Sequence, residues 1–100
     1  MKIIILGSGK VGRTLAEQLS NEGHNIVMVD LIAKKVQDIS EDADIMGVLG
    51  NASSINTLLD AGIETADILI AVTGSDELNL LCCLIAKKVS KCHTIARVRN

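Results

Sequence analysis

Phenylalanine, tyrosine, tryptophan and proline are all missing from these 100 residues. Recognition of unpaired RNA or DNA bases relies on stacking against aromatic side chains, so their absence argues against a nucleic-acid partner. Nor does either sign of charge dominate: 12 acidic and 10 basic residues leave a formal charge of -2, unlike the basic stripe that tracks a phosphate backbone. Long hydrophobic runs are lacking too. The longest uninterrupted one, Leu80 to Ala86, falls far below the ~20 residues a membrane-spanning helix needs, which predicts no direct membrane insertion. The apolar stretch after Met1-Lys2 stops at Gly7, short of a secretory h-region, so a cytoplasmic location is expected. Cysteine is scarce: Cys82, Cys83 and Cys92 form no CxxC pair, and their odd number points to reduced thiols used as small core hydrophobes. His24 and His93 have no partner at metal or triad spacing, so neither a metal site nor a catalytic residue is assigned.

What remains is aliphatic and regularly arranged. Hydrophobic residues make up 48% of the chain, enough for one domain spanning 1–100 with a single sheet. Five β-branched runs read as strands: Lys2 to Leu6, Asn25 to Val29, Asp44 to Leu49, Asp67 to Val72 and Thr94 to Val98. Most are continuously apolar, the pattern of parallel strands covered on both faces. Helical patterns separate them. Val11, Leu15, Ala16 and Leu19 share one helix face; Val36 and Ile39 mark a shorter helix; a third runs from about Ser54 to Ala61 and closes at Gly62. A fourth, from about Asp76 to Ser90, has two apolar faces. Leu78, Leu81, Cys82 and Ile85 follow core spacing, while Leu80, Cys83 and Leu84 form an adjacent face, read either as buried in the domain or as a contact between subunits. Strand and helix alternation of this rhythm predicts an α/β fold, a doubly wound parallel sheet of the Rossmann type in order 3-2-1-4-5. A six-stranded version would need a further helix and strand after Asn100, so either these residues are the front of a longer protein or the fifth strand is an edge that some partner or loop must protect.

The chemistry lies in the loops. Gly7-Ser8-Gly9-Lys10-Val11-Gly12 fits GxGxxG directly between the first strand and first helix. In that context Gly7 makes the tight turn, Gly9 lets the backbone approach a pyrophosphate, and Gly12 permits close helix packing. Free N–H groups and the positive end of the helix dipole favour an anion there. Asp30 follows Gly12 by 18 residues at the end of the second strand. Its carboxylate is placed to accept ribose hydroxyls and to repel a 2′-phosphate, favouring NAD or an adenine nucleotide over NADP. The third strand ends in Gly50-Asn51-Ala52-Ser53, where Gly50 would permit close approach and Asn51 could meet the adenine or its ribose. The fourth ends in Thr73-Gly74-Ser75-Asp76; Thr73 could touch the far phosphate or second ribose, and Ser75 or Asp76 reads as a helix N-cap. Lys10 either reaches a terminal phosphate or stays solvated. Arg97 and Arg99 share one side of the last strand, and Arg97, at its carboxyl end, is the better phosphate candidate.

These stretches together resemble the N-terminal nucleotide-binding domain of Trk-type potassium-uptake regulators, the TrkA family of RCK or KTN domains. The likeness is carried by MKIIILGSGKVG at 1–12, GNASSINTLLDAGIETADILIAVTGSDELNLL at 50–81 and IARVRN at 95–100. It implies a regulatory subunit without catalytic activity that binds NAD(H) or ATP/ADP, forms homo-oligomers (dimers or higher), and gates a membrane potassium transporter or channel subunit from the inner face of the cell membrane. By position it implies Gly7 through Val11 as the phosphate turn, Asp30 as the ribose acid, Thr73-Gly74 as the loop after strand four and Arg97 as the arginine of the final strand. The family commonly has Gly-Asp where Gly50-Asn51 stands. The rival reading is the cofactor-binding half of an NAD-dependent oxidoreductase, which would need a substrate-side acid or base that these residues do not supply.

Overall fold

The computed structural model describes residues 1–42 and 44–99. Strands β1 (Lys2–Leu6), β2 (Asn25–Asp30), β3 (Ile45–Leu49), β4 (Ile68–Ala71) and β5 (His93–Ala96) alternate with helices α1 (Lys10–Asn21), α2 (Ala33–Ser40), α3 (Ile55–Asp60) and α4 (Asp76–Val89). The strands form one sheet in order β3-β2-β1-β4-β5, every neighbouring pair parallel. This is the doubly wound sheet expected from the alternation of runs.

The continuous apolar runs are explained by two cores. Along β1, Ile4 and Leu6 point into one core with Val27, Val29, Leu58, Leu69 and Cys82, while Ile3 and Ile5 point into the other with Ala16, Met28 and Ile39. Successive side chains face opposite sides of a strand, so a strand covered on both faces needs every residue apolar. All four of these β1 residues are buried. Each carries roughly 1.5–3 kcal/mol of favourable burial. Cys82 and Cys92 are buried as expected; burial first, with the adjacent Cys83, pushes the Cys82 thiol up to about 11.

Several boundaries differ from the expectation, each for a local reason. The fifth strand ends at Ala96 rather than Val98, because its partner β4 stops at Ala71 and the last bond of the pair runs from the Arg97 N–H to the Ala71 carbonyl at 2.9 Å. The third begins at Ile45 because the Asp44 N–H is taken by the Asp42 carboxylate at 2.9 Å. A 3₁₀ turn at Ile63–Thr65, entered through Gly62 with φ +86°, was not anticipated. The fourth helix corrects one residue of the core assignment: Cys82 is buried and Leu78 and Ile85 pack against the core as expected, but Leu81 is 46% exposed and the buried line runs through Asn79, Cys82 and Ala86. Leu80 and Leu84, at 49% and 65%, lie outside the domain's own core. Ser75 caps this helix, its hydroxyl accepting the Leu78 N–H at 3.1 Å.

Candidate functional site

All five strands end on the same side, and the loops that follow them frame a cleft of about 470 Å³, within the usual range for small-molecule sites. Its floor is the β1–α1 turn. Gly7 takes φ +103°, and its N–H donates to the Val29 carbonyl at 2.9 Å, which ties the turn to β2. A Cβ on Gly7 would stand 3.0 Å from the Thr73 backbone. Gly12 is buried against the turn, where a Cβ would come 2.2 Å from the Gly7 carbonyl oxygen. Gly9, by contrast, has nothing within 4 Å of where its Cβ would lie. It precedes α1 in extended conformation, with no side-chain cap and no acidic residue in the first turn. The first N–H groups of α1 are thus left to an outside acceptor, beside a glycine that keeps the approach clear.

One wall is built by Asp30. Its Oδ2 accepts the Ser8 N–H at 3.1 Å and the Ser8 hydroxyl, and its Oδ1 accepts the Ile32 N–H at 2.9 Å. Burial alone would raise its pKa, but the Ser8 hydroxyl, the Ile32 and Ser8 N–H groups and the Lys35 charge outweigh it and hold the carboxyl below its ordinary value. A carboxylate offers about four acceptor positions, three of which are filled. It can take one ribose hydroxyl as it stands; a second displaces the Ser8 hydroxyl.

The opposite wall is a network on the β4–α4 loop. Arg97 donates through Nη2 to the Thr73 carbonyl at 3.1 Å and the Val72 carbonyl at 3.4 Å, and its Nε is buried without a hydrogen-bond partner. Arg99 donates to the Gly74 carbonyl at 2.7 Å, so the two arginines grip consecutive carbonyls of one loop, as their shared side of the chain predicts. Thr73 is less free than expected. Its hydroxyl donates to Asn79 Oδ1 at 2.6 Å and accepts the Ser75 N–H at 3.3 Å, so it shapes the loop rather than offering itself to a ligand. Gly74 has open space around it.

Gly7, Ser8, Gly9, Lys10, Val11, Asp30, Gly50, Asn51, Ala52, Thr73, Gly74 and Arg97 all line the cleft; of the expected residues only Gly12 lies beneath it. Two reach it in unforeseen ways. A Cβ on Gly50 would meet the Thr57 side chain at 2.4 Å, so this glycine serves the packing of α3. Asn51 Oδ1 accepts the Ser53 N–H at 2.9 Å and hydroxyl at 2.7 Å, leaving its NH₂ group as the donor available to a ligand. Residues that the sequence reading missed are Val29, Leu31, Lys35, Val72 and Leu78 in the lining and Asn79 behind it. Leu31 could have been found from its place directly after the acid, and Lys35 from its place in the first turn of α2.

The donor set suits an anionic ligand that also carries hydroxyls. The ionisable side chains among the described lining residues are Lys10, Asp30, Lys35 and Arg97, and both the open Gly9 approach and the cationic side chains fit a phosphate chain.

Comparison with known proteins gives the family and the fold. The TrkA-N domain family matches residues 3–100. Across its whole length the chain is 46% identical to the Trk system potassium uptake protein TrkA of Haemophilus influenzae, of which it spans 22%. Its fold is similar to that of the GsuK channel bound to NAD, with TM-score 0.83 and 24% identity over 93% of this chain and 17% of that one. It is similar also to the Shewanella denitrificans Kef CTD in AMP-bound form, with TM-score 0.79 and 22% identity over 94% of this chain and 58% of that one. With almost every residue inside the family match, the chain belongs to the TrkA-N domain family.

Proposed function

We propose that this chain is the nucleotide-sensing part of a potassium-uptake regulator. It binds NAD(H) or ATP/ADP in the cleft and passes that occupancy to a membrane potassium transporter or channel subunit, at the inner face of the cell membrane. The observation that carries this reading is the uncapped first turn of α1, opened by Gly9 and set between an acid suited to ribose and an arginine suited to phosphate. A relative named for potassium uptake, and two similar folds described with NAD and with AMP, support the same reading. A relative named for potassium uptake rather than for a reaction favours a regulator over the cofactor half of an oxidoreductase. Among the described residues no helix is long and apolar enough to cross a membrane.

The decisive experiment is a titration of the purified chain with NADH, NAD, ATP and NADPH. Saturable binding of the first three, with NADPH weaker, is expected; no saturable binding by any of them refutes the reading.

Sensing requires two arrangements that differ in nucleotide affinity. The outer face of α4, where Leu80 and Leu84 are exposed, is where a second copy would dock. Leu84→Glu is therefore expected to shift the assembly toward monomer in sedimentation velocity, while nucleotide affinity of the monomer stays unchanged. An assembly indifferent to that charge would exclude this face.

A further inference from the structure

Asn79 is a polar residue where the helix pattern calls for an apolar one. It is 0% exposed and shares the buried face of α4 with Cys82 and Ala86. An asparagine is a poorer helix former than leucine and is costly to bury unless its hydrogen bonds are made. Here all are made. Oδ1 accepts the Thr73 N–H at 2.9 Å and the Thr73 hydroxyl at 2.6 Å; Nδ2 donates to the Arg97 carbonyl at 2.9 Å and the Thr73 carbonyl at 3.3 Å. Two acceptor positions and two donors exhaust what the amide can do. Every one of these bonds ends on Thr73 or Arg97, both of which line the cleft, although Asn79 itself does not.

The strand order says which part of a ligand this network meets. Across the sheet the loops follow in the order β2, β1, β4, β5, so they present Asp30, then the Gly7–Gly9 turn, then Thr73, then Arg97. Strands lie ~4.8 Å apart, which puts the ends of β2 and β5 roughly 14 Å from each other. An adenosine held by its ribose at Asp30 sets its first phosphate on the turn of β1. Only a second or third phosphate extends to the loops of β4 and β5, where Arg97 lines the cleft.

We infer that Asn79 is a positioning residue for the distal phosphates: by holding Thr73 and the Arg97 main chain on one buried amide, it fixes the Arg97 guanidinium where those phosphates arrive. It thereby sets a preference for adenosine ligands with two or more phosphates, dinucleotides included, over the monophosphate. The inference rests on the nucleotide-binding reading above and goes beyond it in naming what discriminates among nucleotides.

The test compares AMP, ADP and ATP on each protein preparation, because a ratio of affinities does not depend on the folded fraction. Asn79→Asp keeps the acceptor for the Thr73 N–H and hydroxyl and removes the donor to both the Arg97 and the Thr73 carbonyls. It is expected to weaken ADP and ATP by about tenfold, the scale of one hydrogen bond to a charged group, and AMP by less than about twofold. In the Arg97→Ala background the same substitution should add little, since both act on one guanidinium. Thr73→Val, which deletes only the hydroxyl donated to Oδ1, should shift the ratio in the same direction by less, and it carries the test if the Asn79 variant does not fold. Equal losses for all three nucleotides, or additive effects of Asn79→Asp and Arg97→Ala, would overturn the inference. A wild type that binds AMP as tightly as ATP would overturn it while leaving the nucleotide reading intact. A wild type that binds none of the three would bring down both.

Discussion

Gly9→Val is expected to abolish saturable binding of NADH and ATP and to leave the melting temperature nearly unchanged. The backbone at Gly9 has φ -71° and ψ -169°, a conformation that β-branched residues adopt readily, and nothing lies within 4 Å of the new Cβ. The fold therefore has no reason to object. The methyl groups would, however, stand in the space that lets a phosphate reach the first N–H groups of α1. Gly12→Ala should do the reverse. Its Cβ would lie 2.2 Å from the Gly7 carbonyl oxygen, so α1 must lift from the sheet, at a cost of roughly 1–3 kcal/mol or more. One glycine of the motif serves the ligand and the other serves the packing, and the two variants separate these roles in a paired melt and titration. Unchanged affinity in Gly9→Val would mean that the anion sits elsewhere.

The parts of this molecule that were legible in the sequence are those governed by a single local cause. Ile3 to Leu6 reads as a buried strand because both faces of β1 meet helices, and Ser75 reads as a cap because a hydroxyl before a helix has one obvious donor to satisfy. The glycine turn and Asp30 were legible because strand ends converge on one side of a parallel sheet. What escaped depends on contacts between distant segments. Leu81 fits core spacing within its own helix, yet the buried line of α4 runs through Asn79, Cys82 and Ala86, because the β4–α4 loop and the end of β5 draw Asn79 inward. Gly50 lines the cleft, yet the tightest constraint on it is Thr57 on the next helix, which no local pattern announces. Thr73 has the right chemistry for a phosphate, but Asn79 has already claimed its hydroxyl. In each case the side chain type was informative and its partner was not, since the partner is fixed by tertiary packing.

Asp30→Ala is expected to weaken NADH and ATP by at least tenfold, about 1.4 kcal/mol, while narrowing the gap between NADH and NADPH. Loss of affinity follows from losing the acceptor for the ribose hydroxyls. The narrowing follows from charge: the wild-type carboxylate repels a 2′-phosphate at short range, and removing it leaves Lys35, in the same wall of the cleft, to attract one. Acidity adds a second check. The carboxyl is held below its ordinary range, so it stays ionised as the pH falls toward the unperturbed aspartate value of ~3.9, and its contribution fades only below that. The ratio of wild-type to Asp30→Ala affinity should thus stay constant from about pH 8 to about pH 5, whatever the phosphates themselves do, because their titration cancels in the ratio. A ratio that decays across that range would mean that the ribose contact depends on a group other than an ionised Asp30. Tight NADPH binding by the wild type would show that the 2′-position never comes near it.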